Sequence, residues 1–184
     1  MIYILFAVLL LLVFVIFWQL SLLFSSIVGA PTVYANSKAI IDSYKLAGLK
    51  KGETVLDLGC GNAKSLIIAA KEFGAKGVGV EISPYCYLKS KLNVLLARES
   101  GNIKIYLRDI KKSVDLISKA DLLYLYLLNS VLEKIERDIF DNIGNNARVV
   151  TLAFKFKKER AQKTVSTSNL GRETKVYLYQ KGSV

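Results

Sequence analysis

The sequence predicts a doubly wound α/β fold with a mostly parallel sheet, preceded by one membrane-spanning helix. Two observations lead to this prediction. The first is an uncharged N-terminal segment, since the first charged residue among the 184 is Lys38. The second is a regular alternation of short apolar strands and helices from Thr54 onward, which is typical of parallel sheets covered by helices. The length fits one domain and excludes a second substrate domain.

The N-terminal segment is long and apolar enough to cross a bilayer. Every residue from Ile2 to Trp18 is apolar, and the run continues to Phe24. A helix needs about 20 such residues to span a hydrocarbon core of ~30 Å, so we expect a transmembrane anchor at 1–25 and a linker at 26–35. A cleaved signal peptide is the alternative, because small residues at 28–30 suit a cleavage site. The missing basic residue before the apolar run favours the anchor.

The charge distribution predicts the orientation of the chain. The 26 Lys and Arg against 15 Asp and Glu give a net charge of +11, all of it C-terminal to the apolar segment. Basic residues that flank a span stay in the cytoplasm, so we expect a single-pass membrane protein with a cytoplasmic domain. The basic run at 155–163 is either a solvated face or a contact with anionic lipid headgroups. Beside an anchor, the charge indicates a membrane surface more than a nucleic acid.

The chain contains no histidine and two cysteines, Cys60 and Cys86. Without imidazole, Ser-His-Asp and Cys-His catalysis are excluded. The cysteines are not spaced as C-x-x-C, so we expect reduced thiols and no metal site. Cys60 is interpreted as a small turn residue, with a reactive thiol as the alternative.

The globular domain is predicted to cover residues 36–184. Asn36 suits the N-cap of its first helix, and Gly74 suits the end of the second. Short runs rich in β-branched residues mark the strands between the helices. The predicted order is helix 37–46, strand 54–58, helix 65–73, strand 77–81, helix 84–98, strand 103–106, strand 122–128, helix 131–140, strand 148–154 and strand 175–179.

A glycine turn follows the first of these strands, at Gly59-Cys60-Gly61-Asn62. A dinucleotide-binding turn has the pattern G-x-G-x-x-G, but Lys64 stands at the third glycine position. Asp57 lies two residues before the first glycine. A carboxylate there is poorly suited to a pyrophosphate and well suited to the ammonium group of a bound amino acid. S-adenosylmethionine carries such an ammonium and no phosphate.

Two further acids follow the next two strands. Glu81 ends the second strand, where an acid in Rossmann-like folds accepts hydrogen bonds from ribose hydroxyls. Asp109 follows the third strand and is placed to accept from an adenine amino group, with Ile82 and Ile110 as apolar walls. The alternative is that Asp57 and Glu81 are structural caps or turn residues.

The motifs V-L-D-L-G-C-G-N at 55–62 and G-V-E-I-S-P-Y at 79–85 resemble the first two motifs of class I, seven-strand S-adenosylmethionine-dependent methyltransferases. The usual third glycine is Ala63 here, and we expect this position to serve helix–strand packing. The resemblance implies a Rossmann-like fold with S-adenosylmethionine as cofactor. The predicted cofactor-binding residues are Asp57, Gly59, Cys60, Gly61, Asn62, Glu81, Ile82, Asp109 and Ile110.

Shorter segments are similar to a narrower family. Pro31-Thr32-Val33-Tyr34, L-L-N-S-V-L-E-K-I at 127–135 and A-R-V-V at 147–150 resemble the small, membrane-associated protein-lysine methyltransferases that act on the ATP synthase c-subunit and the adenine nucleotide translocase. This resemblance implies a membrane-protein substrate. The chain departs from the family at Asn129, where a proline is expected, and at 153–155, where a more polar stretch is expected.

Methyl transfer from a sulfonium needs alignment rather than a dedicated base, so the lack of histidine is compatible with this chemistry. Asn129 and Ser130 are the candidate catalytic residues nearest the acceptor. Tyr124 and Tyr126 either line the acceptor pocket or belong to the core. No N-P-P-Y or D-P-P-Y motif is present, which argues against methylation of DNA bases or glutamine amides. Two alternatives stay open. One is an enzyme that methylates a lipid or a lipid-soluble small molecule, and the other is a membrane-tethered module that binds the cofactor without turnover.

Overall fold

The computed structural model describes residues 1–27 and 34–181 of the chain. Most of the predicted linker at 26–35 lies outside these residues. The alternative cleavage site at 28–30 and positions 31–33 of the family-like segment also lie outside them.

The first helix, α1 (Ile2–Ile27), ends two residues after the predicted end of the anchor. Its segment Ile2–Ser21 has a mean hydropathy of 2.8, and none of its most apolar stretch is buried against the protein. Length and composition therefore allow this helix to cross a membrane, although a signal sequence meets the same criteria.

The remaining elements alternate as the sequence predicts. In chain order they are α2 (Ser37–Ala47), β1 (Thr54–Leu58), α3 (Lys64–Phe73), β2 (Lys76–Glu81), α4 (Pro84–Leu96), β3 (Ile103–Leu107), a 3₁₀ turn (Ile110–Lys112), α5 (Val114–Ile117), β4 (Leu122–Leu125), α6 (Asn129–Asn142), β5 (Arg148–Leu152), β6 (Lys163–Asn169) and β7 (Arg172–Gln180).

The seven described strands form one sheet in the order β3-β2-β1-β4-β5-β7-β6. The first five are parallel, and β7 pairs antiparallel with both β5 and β6. Helices α2, α3 and α4 cover one face of the sheet, and α6 covers the other. This confirms the doubly wound, mostly parallel α/β fold. The carboxyl ends of β1 and β4 meet where the strand order reverses, which is where such sheets bind ligands.

Four strand predictions differ from the structure by more than one residue: the predicted strand 148–154 ends at Leu152, the predicted strand 175–179 extends over Arg172–Gln180, and the other two differences concern β6 and β4. The prediction missed β6, because its segment is polar and only Thr167 and Asn169 are buried along it. Pairing with β7 at the sheet edge, rather than a hydrophobic pattern, holds this strand in place. The predicted strand 122–128 ends instead at Leu125. Tyr126 and Leu127 leave the ladder and line the cleft at the carboxyl edge of the sheet.

Candidate active site

A cleft lies at the carboxyl ends of β1, β2 and β4. The space between its walls, counted out into the open solvent at its mouth, is about 840 Å³. Eight of the nine predicted cofactor-binding residues line it, and Asp109 is the exception. The structure thus brings the glycine turn together with Asp57 and Glu81.

The glycine turn has a left-handed backbone at alternate positions. Gly59 and Gly61 have φ values of 87° and 56°, which glycine adopts without steric cost. A Cβ on Gly59 would also lie 2.9 Å from Leu127. Ala63 has a φ of 61°, so the preference for glycine at that position comes from the backbone as well as from packing. This corrects the sequence-based explanation of the third glycine.

Asp57 is a buried carboxylate with one hydroxyl partner. It is 4% exposed near the end of β1, and the Ser65 hydroxyl on α3 donates a hydrogen bond to it. Burial, with a further contribution from the charge of Glu81, raises the pKa of Asp57 from 3.8 to about 7, and the Ser65 hydrogen bond opposes the rise. No cation among the described residues pairs with it. A positively charged ligand group would favour the ionised form.

The Glu81 carboxylate is held by three backbone amides. It accepts hydrogen bonds from the N–H groups of Gly61 at 2.9 Å, Ile82 at 2.9 Å and Ser83 at 2.8 Å. Burial raises the pKa of Glu81, and these hydrogen bonds oppose the rise. A carboxylate has about four lone-pair positions, so this arrangement fixes the group at the cleft wall and leaves capacity for another donor.

Asp109 lies beside the cleft rather than in its wall. One carboxylate oxygen accepts a hydrogen bond of 2.9 Å from the backbone N–H of Lys111, which caps the 3₁₀ turn. The next residue, Ile110, lines the cleft close to Gly59, and Ile82 lines it after β2. The apolar walls are therefore in place, while the contact of Asp109 with an adenine stays a prediction.

Asn129 and Ser130, the candidate catalytic residues, begin α6 and are both exposed. The structure places them outside the cleft wall, which Leu127 reaches instead. Their role at the acceptor therefore remains a prediction.

Three tyrosines are part of the cleft wall. Tyr34, Tyr124 and Tyr126 all line it. Tyr124 is also part of the core, 2% exposed, and its hydroxyl has no hydrogen-bond partner among the described residues. The hydroxyl of Tyr126 accepts a hydrogen bond of 3.0 Å from Asn169, whose Oδ1 in turn accepts one of 2.9 Å from the backbone N–H of Asn36. The β6–β7 hairpin thus positions this wall.

Sequence patterns did not identify several cleft residues. Ser65 and Lys64 follow the glycine turn on α3, and Lys64 donates from Nζ to the carbonyl oxygen of Ala35 at 3.1 Å. Their position in the sequence could have identified them, because the first turn of a helix that follows a glycine turn faces the same cleft as that turn. The hydrogen bond between Asn36 and Asn169, which helps to hold Tyr126, spans 133 residues and carries no local signal.

Cys60 does not have the environment of a reactive thiol. It is 5% exposed, and burial together with the charges of Asp57 and Glu81 raises its thiol pKa well above the usual value. A reactive cysteine needs a lowered pKa, so the structure favours the small turn residue over the reactive alternative. Within residues 1–27 and 34–181 no three potential metal ligands of the His, Cys, Asp and Glu types cluster together.

Comparison with solved structures supports the same cofactor chemistry. An RNA methyltransferase from Salinibacter ruber, crystallised with S-adenosyl-L-homocysteine, superposes with a TM-score of 0.75 at 27% identity. The match covers 83% of this chain and 96% of that one.

Sequence comparison gives relatives with a narrower activity. A protein-lysine N-methyltransferase from Saccharolobus islandicus (strain REY15A) is 28% identical over 153 residues, 83% of this chain and 94% of the relative. The lysine N-methyltransferase of the ATP synthase c-subunit from Mus musculus is 26% identical over 126 residues. That match covers 68% of this chain but about half, 49%, of the mouse protein. Residues 57–163 match the family model of the ANTKMT methyltransferase domain. The chain therefore belongs to the ANTKMT methyltransferase domain family and is an S-adenosylmethionine-dependent methyltransferase.

Proposed function

We propose that the protein transfers a methyl group from S-adenosylmethionine to a lysine side chain of a membrane-associated protein. The observation that carries this proposal is the buried, cation-free carboxylate of Asp57 beside Glu81, at the carboxyl ends of neighbouring parallel strands. Asp57 offers a hydrogen-bond acceptor for an ammonium, and Glu81 offers one for hydroxyls. Two carboxylates do not suit a negatively charged pyrophosphate.

The residues around the cleft fit the cofactor. Asp57 would bind its ammonium. Burial raises the pKa of Asp57 from 3.8 to about 7, and a bound ammonium would lower it again. Glu81 would accept from ribose hydroxyls, while Ile82 and Ile110 would flank the adenine and Asp109 would accept from its amino group. The positive φ values of Gly59 and Gly61 bring the backbone of residues 59–62 to the cleft without side chains in between. The hydroxyl of Tyr124 is a buried donor that needs a partner.

The bound cofactor supplies a methyl group activated by a positively charged sulfur. The protein then has to align an amine with that carbon and keep the amine deprotonated. A free lysine has a pKa of about 10.4, and burial among apolar groups lowers it. Tyr34 and Tyr126 line the cleft, and their rings would provide an apolar surface on which the alkyl stem of the lysine packs.

Two relatives favour lysine as the acceptor. The Saccharolobus islandicus relative is named for protein-lysine methylation, and the match with this chain covers 94% of its length. The mouse relative is named for a lysine of the ATP synthase c-subunit. Asn129 and Ser130 stay our candidates for contacts with the acceptor, since they follow the cleft residue Leu127 at the start of α6.

Membrane attachment by α1 completes the proposal. The segment Ile2–Ser21 is apolar and exposed, and the lysines that follow it favour a cytoplasmic domain. Tethering confines the enzyme and a membrane-bound substrate to one surface, which raises their effective concentration. A membrane protein with a lysine near the cytoplasmic surface is therefore the expected substrate.

The test is transfer of a radiolabelled methyl group from S-adenosylmethionine into a membrane extract by the full chain. We expect label in the protein fraction, recovered as methylated lysine after hydrolysis. At a cofactor concentration below the wild-type Kd, the Asp57→Asn variant should transfer roughly 10- to 150-fold less label. Label confined to extracted lipid or to RNA would refute lysine as the acceptor. Cofactor binding without transfer to any fraction would indicate a non-catalytic module and refute the enzyme itself.

A further inference from the structure

Helix α4 has its apolar side chains on the side facing away from the protein. The inward side carries Cys86, Ser90 and Val94. The outward side carries four leucines, between 53% and 71% exposed, namely Leu88, Leu92, Leu95 and Leu96. An ordinary surface helix has the opposite arrangement, with its apolar stripe on the core.

The outward leucines form one stripe along the helix. Positions 88, 92 and 95 follow the i, i+4, i+7 spacing of a single helical face, and 96 lies beside it. We call Leu88, Leu92, Leu95 and Leu96 the leucine face. Soluble monomers rarely expose contiguous apolar patches without a partner, so this surface needs an occupant.

The start of α4 lies against the end of the apolar segment of α1. The rings of Trp18 and Tyr85 stack with centroids 5.2 Å apart and an interplanar angle of 19°. The hydroxyls of Ser21 and Ser83 are 2.8 Å apart, and the backbone N–H of Tyr85 donates to Ser21 Oγ at 3.3 Å. Because Ser21 ends the candidate span Ile2–Ser21 and lies four residues before the predicted end of the anchor, α4 begins close to the depth where α1 would leave the bilayer.

The residues around this junction are typical of a membrane boundary. The ammonium of Lys89 lies 5.8 Å from the ring centroid of Tyr34 and 5.9 Å from that of Tyr85. Lys91, on the same helix, is exposed. Aromatic rings concentrate at the lipid–water interface, and lysines there are attracted to anionic headgroups. The apolar, aromatic and basic residues around this junction therefore all fit a lipid bilayer as the occupant of the leucine face.

We propose that the leucine face of α4 lies in the headgroup region of an anionic bilayer and forms a second membrane contact beside α1. The proposal rests on the proposed anchoring of α1. An interfacial helix buries its apolar face about 5–10 Å into the boundary between headgroups and acyl chains. Because α4 starts three residues after Glu81, this contact fixes the cleft close to the membrane surface. The accessible acceptor is then a lysine just outside the bilayer.

The test uses the full chain in vesicles of phosphatidylcholine and phosphatidylglycerol. A fluorophore whose emission shifts to the blue in lipid is attached to the Leu92→Cys variant. Cys60 and Cys86 are each 5% exposed, and the unsubstituted chain measures how much label they take. Val165→Cys is the matched control, since Val165 is 37% exposed on β6 at the opposite sheet edge from β3. Val8→Cys, within α1, reports on the anchor.

We expect the label at position 92 to shift to the blue and to be quenched by spin-labelled lipid several-fold more than the label at 165. Lipid quenching at position 8 with none at 92 would overturn the contact of α4 and leave the anchor standing. Absence of quenching at position 8 would overturn the anchor and, with it, this contact. Self-quenching at position 92 in detergent, without vesicles, would assign the leucine face to a second copy of the chain and overturn the lipid contact.

Discussion

Replacing Asp57 with asparagine is expected to stabilise the cofactor-free protein at neutral pH while it weakens cofactor binding. Burial raises the pKa of Asp57 from 3.8 to about 7. An acid with a raised pKa in the folded state stabilises the fold at low pH, and this contribution is lost as the pH rises from about 4 to about 7. At about 1.36 kcal/mol per pKa unit, the loss reaches about 4 kcal/mol. Asparagine keeps an acceptor for Ser65 and has no charge to desolvate.

The assay is unfolding of the full chain in detergent micelles at pH 5 and pH 8, with cofactor affinity measured by calorimetry. The Asp57→Asn variant should be more stable than the wild type at pH 8 and should show a smaller change between the two pH values. Loss of a charge-assisted contact of about 1.5–3 kcal/mol should weaken cofactor binding roughly 10- to 150-fold. The Ser65→Ala variant should move the wild-type pH transition upward, because the Ser65 hydroxyl lowers the pKa of Asp57. A pH-independent unfolding free energy of the wild type, or a variant less stable at pH 8, would refute this reasoning.

Three further substitutions test other positions. Glu81→Gln places an amide donor among three backbone N–H groups. We therefore expect a loss of about 1–3 kcal/mol in unfolding free energy and a raised KM for the cofactor. Unchanged cofactor binding in calorimetry would contradict the role of Glu81. Gly79→Ala puts a Cβ 2.7 Å from the Sγ of Cys60 and should lower the unfolding free energy by about 1–3 kcal/mol in thermal unfolding. The control is Gly101→Ala, whose Cβ meets nothing within 4 Å. Equal effects of the two substitutions would disprove the clash. Glu136→Gln replaces a carboxylate that accepts hydrogen bonds from three successive backbone N–H groups of the loop after β5. The loop should then be held less firmly, and a protease should cleave it faster than in the wild type.

The cleft lining around the glycine turn could be predicted because its determinants are local. A short apolar strand followed by Gly59 and Gly61 dictates a tight turn, and Asp57 and Glu81 stand at fixed offsets from their strand ends. Parallel strands then bring these acids to one edge of the sheet. The doubly wound fold followed from the same alternation and is confirmed by the strand order.

The tyrosine wall of the cleft could not be predicted, because long-range contacts build it. Tyr126 leaves β4 and is held by Asn169 from a strand with no hydrophobic pattern. Position after β4 predicts Asn129 and Ser130 as contacts of the acceptor; the structure begins α6 at that point, with both side chains exposed, and their role stays a prediction. The leucine face of α4 also escaped prediction, since helical spacing alone does not tell which side of a helix faces the protein.

Methyl-lysine mapping in membranes tests the central proposal most directly. Membranes from cells that express the wild-type chain or the Asp57→Asn variant would be compared by mass spectrometry after proteolysis. We expect a methylated lysine close to the bilayer surface in at least one membrane protein, present with the wild type and lost with the variant. Identical lysine methylation in the two membranes would contradict the proposal that this chain methylates a membrane protein.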